Sequence, residues 1–179
     1  MKKILSVLLC VILLGTLVGC GASEEAIEEY RDKTYIFLMA HANAGKDYYG
    51  LDDFIEMLDI AANNGEGYKT FYPSDDKWEE YKGICQDVLN SMDEMYKPLK
   101  NPPSECQREY DLAGKIDAAA RRLITIRIAA GETEDQSSSM TLTYKSLAED
   151  AKMEYIDAVI ELSDYFKSID YVYSLETNT

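Results

Sequence analysis

The sequence predicts an all-α fold, an antiparallel up-down-up-down four-helix bundle that follows a cleaved leader. Two observations carry this expectation. Apolar residues recur at alternating spacings of three and four through four separate segments, the period of a helix with one buried face. The breaks between those segments hold Pro, Gly, Ser, Asn and Asp, the residues that start and stop helices. No strand-like alternation survives after the leader.

The first helix is expected over residues 23–63. Its stripe runs Ile27, Tyr30, Thr34, Phe37, His41, Ala44, Tyr48, Leu51, Ile55, Leu58, Ala62. Gly45 and Gly50 each cost a helix interior about 1 kcal/mol relative to Ala. The stripe keeps its phase across them, so one helix is expected. The second spans residues 75–97, with Ser74 or Asp75 as N-cap and acids in its first turn. Trp78, Tyr81, Cys85, Val88, Met92, Met95 and Leu99 form its stripe, and Pro98 ends it. The third spans residues 102–130. It opens on Asn101-Pro102-Pro103-Ser104-Glu105, with proline tolerated in the first turn. Leu112, Ile116, Ala119, Leu123, Ile126 and Ala130 face inward, and Gly131 is read as the closing glycine. After the polar run GETEDQSSS, the fourth spans residues 139–173 on Tyr144, Ala148, Ala151, Tyr155, Ala158, Leu162, Tyr165, Ile169 and Val172. Short connections favour antiparallel neighbours. The longer linker, residues 64–74, carries Tyr68, Phe71 and Tyr72, which are expected to pack back onto the bundle.

Composition narrows the function. A chain of 179 residues with 46% hydrophobic and 28% charged residues is one globular domain. Eighteen basic against 33 acidic residues give a net charge of −15. That excludes nucleic-acid backbones as partners, since they demand clustered basic residues. It also disfavours docking on anionic lipid through charge.

Met1-Lys2-Lys3 is a basic start, and an uncharged, mostly apolar run of 16 residues follows, from Ile4 to Gly19. The run is short for a membrane-spanning helix, which takes about 20 residues, and suits a signal peptide. It ends Leu17-Val18-Gly19-Cys20. This resembles the lipobox of bacterial lipoproteins, and the resemblance covers the leader alone. It implies that residues 1–19 are a signal peptide cut before Cys20. It implies too that the Cys20 thiol carries a diacylglycerol and residues 20–22 form a very short tether. The bundle, residues 23–179, then sits in the bacterial cell envelope outside the cytoplasm, with the membrane as a partner through the lipid. The two linkers that join helix ends far from Cys20 are the natural contact regions.

Cys85 and Cys106 remain. A disulfide between them suits an exported chain. A tight hairpin, however, sets them about 13 Å apart along the helix, beyond the 7 Å a bridge allows, and argues for two buried thiols. At 1.5 Å per residue the first and last helices span about 60 and 55 Å and the second only about 35 Å. A ligand groove between the first and last is therefore a candidate, with Tyr30, Tyr48, Tyr49, Tyr165 and Tyr173 available to line it. The competing reading is that these tyrosines are core-edge residues.

His41 is the only histidine. It lies on the apolar stripe and reads as a packing residue; multi-histidine metal sites and di-iron motifs are excluded. Asp52, Asp53, Glu56 and Asp59, and Asp150, Glu154, Asp157 and Glu161, read as solvated acidic faces. Arg121, Arg122 and Arg127 read as partners for acids on neighbouring helices. No catalytic constellation stands out, and no metal or cofactor is expected. The expected function is a non-catalytic ligand- or protein-binding module. The alternatives are an enzyme using paired carboxylates on cell-wall glycan and a purely structural surface lipoprotein.

Overall fold

A computed structural model describes residues 21–44 and 50–173. The leader, Cys20, Tyr48 and Tyr49 lie outside the described residues. Within them the chain is all-helical, with five α-helices and no strand. They are α1 (Glu24–Ala44), α2 (Leu51–Asn63), α3 (Asp75–Tyr96), α4 (Gln107–Glu132) and α5 (Ser138–Ser168). None is long and apolar enough to cross a membrane.

Ser23 caps α1, its Oγ accepting from the Ala26 amide at 3.2 Å. Ser74 and Ser137 cap α3 and α5 in the same way, accepting from Lys77 and Met140. These hydroxyls satisfy amides that a helix start leaves without partners.

The expected first helix divides. Gly50 takes the left-handed conformation at φ 65° as the N-cap of α2, a geometry that glycine adopts without steric cost. The apolar phase survives the division because α1 and α2 follow one another along α5. Tyr35 packs on Phe166, the Tyr155 hydroxyl reaches His41, Asp52 pairs with Lys152 and Asp59 with Lys145.

Three other boundaries move. Asn101 is left-handed at φ 65° and Pro103 is extended, so a 3₁₀ turn at Ser104–Cys106 precedes α4. Proline disfavours helix in the residue before it, which is why the Pro-Pro step delays the start. α4 continues to Glu132, and Gly131 is not a left-handed stop. α5 ends at Ser168, with Asp170 left-handed at φ 50°. Val172, expected on the buried stripe, is 83% exposed.

Ion pairs fix the register between helices. Lys115–Glu161 and Arg122–Glu154 join α4 to α5 in opposite senses along the chain. Asp93–Arg121 and Lys82–Glu132 do the same for α3 and α4. Arg31–Glu109 ties the starts of α1 and α4. The core between them holds Leu58, Met92, Leu99, Ile116, Leu123 and Leu162, all sealed from solvent. Small side chains at Ala113, Ala120, Ala148 and Ala151 are buried too and let helix axes approach closely.

Candidate functional site

Of the five tyrosines expected to line a groove, Tyr48 and Tyr49 lie outside the described residues, and Tyr30, Tyr165 and Tyr173 take separate positions. Tyr30 is a core residue whose hydroxyl donates to the Leu99 carbonyl at 2.9 Å. Tyr165 is half-buried with the Arg108 guanidinium 5.2 Å from its ring centre. Burial, then the nearby Glu109 carboxylate, pushes its phenol above the ordinary range. Tyr173 stacks on Tyr35 at 5.2 Å. A hollow of about 430 Å³ does open between the start of α1 and the chain after α5. Ile27, Arg31, Ile169, Tyr171 and Val172 line it, and Tyr30, Tyr165 and Tyr173 are not among its walls. Helix lengths carry no information on which way each ring turns, which is why they do not specify the walls of such a hollow.

The aromatic concentration lies at the other end, far from residue 24. A 3₁₀ turn at Tyr68–Phe71 folds the first linker back, as expected. Tyr68 is 2% exposed and sits edge-on to Phe54 at 4.8 Å. The Tyr68 and Tyr72 hydroxyls lie 2.9 Å apart, and Tyr68 donates to the Tyr81 hydroxyl at 3.4 Å. Burial pushes the Tyr68 and Tyr72 phenols far above their ordinary range, so both stay neutral. Trp78 packs on Tyr72 at 5.1 Å and lies against Gly131, where a Cβ atom would come within 2.1 Å of the indole. That close approach, and not helix termination, is what residue 131 supplies.

Gln136 clamps this end. Its Oε1 accepts from the Lys69 amide at 3.3 Å, while its Nε2 donates to the Thr133 carbonyl at 2.7 Å. It thus joins the first linker to the end of α4. Ser138 donates to the Ala62 carbonyl and Thr141 to that of Glu66. The two linkers expected as contact regions therefore form one tied surface.

Beneath the aromatic cluster lies Arg127. Arg121 pairs with Asp117 and Asp93, and Arg122 with Glu154, as their sequence context predicts. Arg127 does not follow them. It is 7% exposed, its guanidinium carbon lies 5.3 Å from the Phe54 ring centre, and no carboxylate pairs with it among the described residues. Its Nε and Nη2 atoms are buried with no hydrogen-bond acceptor. Buried donors are seldom left so. A signal for this position existed in the sequence. Arg127 stands four residues after Leu123 and three before Ala130, on the inward face of α4, and grouping it with Arg121 and Arg122 by proximity hid that phase.

Cys85 and Cys106 are separate, buried, unbonded thiols, so the disulfide is not formed. Arg127, which faces Cys85 electrostatically, lies roughly 30 Å of helix beyond Cys106. Burial pushes the Cys106 thiol up to about 11 and raises that of Cys85 as well. Thiols held neutral in this way are poor nucleophiles.

His41 is sealed from solvent and accepts, through its backbone carbonyl, the Tyr155 hydroxyl at 2.9 Å. Burial lowers its imidazole to about 4, against a smaller opposing pull from Asp117. The acidic faces are laced with cations: Asp52 to Lys152, Asp59 to Lys145, Glu161 to Lys115. Among the described residues no group of three or more metal-ligating side chains converges.

No protein-family profile matches this chain, and neither does any curated protein or solved structure.

Proposed function

We propose that this chain is an exported helical-bundle lipoprotein, anchored to the membrane through Cys20, that binds a partner molecule at its far end without catalysing a reaction. In the same proposal α1 and α2 act as one rod, and with α3, α4 and α5 make an antiparallel up-down-up-down four-helix bundle. The opposed order of the ion pairs along α3, α4 and α5 supports it. Export and anchoring rest on the leader, whose Leu17-Val18-Gly19-Cys20 lies only three residues before the Ser23 cap of α1. With so short a tether the first helix starts at the membrane and the aromatic end points away from it.

The observation that carries the binding role is Arg127, a buried cation without an acceptor, roofed by aromatic side chains and adjoining tied surface loops. Binding sites combine apolar walls with a few placed polar groups. A bundle built for structure alone gains nothing from an unpaired internal charge, which costs several kcal/mol.

Native mass spectrometry of the chain extracted from membranes of its own cells tests the reading. The expected species begins at Cys20, carries a diacylglycerol, and retains a non-covalent partner. A chain that begins elsewhere without lipid contradicts the anchoring. A lipidated chain that never carries a partner, under any extraction, contradicts the binding role.

A further inference from the structure

We propose that Arg127 and the N-terminus of α2 together form a recognition site for an oxyanion, a carboxylate or phosphate group on a small organic molecule. This deepens the binding role given above and rests on it.

The two donors left without acceptors are Nε and Nη2. They lie on one edge of the guanidinium and point the same way. That edge is the fork that two oxygens of a carboxylate or phosphate engage in parallel. An arginine buried only to stack on Phe54 has no reason to leave both donors of this edge unmatched, because each unpaired charged donor is costly.

The second element is the helix terminus. α2 is 13 residues long, and its N-cap, Gly50, contributes no side-chain cap. The position a Cβ would take at residue 50 is 3.8 Å from Nη2 and 3.9 Å from Nη1 of Arg127. Among the described residues, position 50 thus puts no side chain between the guanidinium and the first turn of α2. The uncapped amides of that turn and the partial positive charge of the helix start favour an anion. The acids of that turn do not neutralise the site: Asp52 and Asp53 are exposed, and Asp52 is held by Lys152 on α5. Nε and Nη2 are buried, so the oxyanion reaches them as the arginine turns about its own side-chain bonds.

The surroundings set the rest of the ligand. Phe54 lies under the guanidinium, and Tyr68 packs edge-on to Phe54. An aromatic or apolar body bearing one anionic group suits such walls. A polyanion does not, since a single cation faces it in a chain of net charge −15.

The test is calorimetric titration of the full-length chain in detergent with benzoate, phenyl phosphate and the neutral benzamide, at constant ionic strength. In parallel, the Arg127 Nε–H resonance of the wild type is followed. Benzoate or phenyl phosphate is expected to bind saturably and to shift that resonance, and benzamide to do neither. Whichever anion binds more tightly names the group. Arg127→Lys, which keeps the charge without the fork, should weaken binding at least tenfold, and Arg127→Met should abolish it. If Arg127→Met does not fold, the wild-type resonance decides alone. The proposal is overturned if neither anion moves the resonance, or if folded Arg127→Met binds them as the wild type does. Should native mass spectrometry then still show a neutral molecule or a protein bound, the binding role stands and only the anion assignment falls.

Discussion

Arg31 and Glu109 show what a paired internal charge does here, in contrast to Arg127. Glu109 is sealed from solvent while Arg31 is 29% exposed, and Nε donates to Oε1 at 2.9 Å. Removing the arginine alone strands a buried carboxylate. Arg31→Met should therefore cost about 3 kcal/mol in a denaturant titration. The double variant Arg31→Met, Glu109→Gln should recover much of that, because no charge is then left unpaired. His41 adds a pH dependence. Its folded-state value of about 4 lies below its ordinary 6.5, so between those values the unfolded chain binds the extra proton. The stabilisation is complete above about pH 6.5, declines as pH falls, and is gone below 4. The whole effect is at most about 3 kcal/mol. His41→Asn should flatten stability between pH 4.5 and 6.5 relative to the wild type, as read by melting temperature. At this scale the sequence was a partial guide. A lone histidine on an apolar stripe reads correctly as a buried packing residue. The walls of the hollow beside α1 could not be read, since ring direction depends on rotamers that spacing does not specify.

Helix identity was legible wherever a cap and a stripe agreed. Ser74 with Asp75 and Asp76 before Trp78 marks the start of α3, and the structure uses Ser74 as its N-cap. The division at Gly50 was not legible, because α1 and α2 both lie along α5 and so keep one apolar phase. Periodicity reports the face a residue presents, and two successive helices on one neighbour present the same face. Gly131 was misread for a related reason. A glycine near the end of a stripe is usually a C-terminal signal, whereas here it admits Trp78. Gly131→Ala puts a methyl group into the indole and should cost about 2 kcal/mol through overpacking. Trp78 is the only tryptophan, so its fluorescence should shift in the folded variant. An unchanged spectrum and stability would show that Trp78 does not lean on residue 131.

Taken as a whole, the molecule sets a carboxylate-paired arginine near one end and a buried, unpaired one near the other. Near residue 24, Arg31 engages one oxygen of the buried Glu109 carboxylate and Oε2 is left without a hydrogen-bond partner, while the far end leaves the Arg127 fork open under aromatic cover. The acidity that dominates the composition is spent largely on solvated helix faces and inter-helix ion pairs. It therefore says little about what the chain binds. The all-helical class followed from spacing alone, because burying one stripe per helix leaves few alternatives. The far-end surface did not. It depends on Gln136 drawing one loop to another across 67 positions of sequence, a contact without a local pattern.

The most direct measurement is native mass spectrometry of the wild type and Arg127→Met, each extracted from membranes of the native host. The expected wild-type species starts at lipidated Cys20 and carries a small anionic molecule, and the variant is lipidated and empty. A wild-type chain without lipid and without any bound molecule would contradict the account.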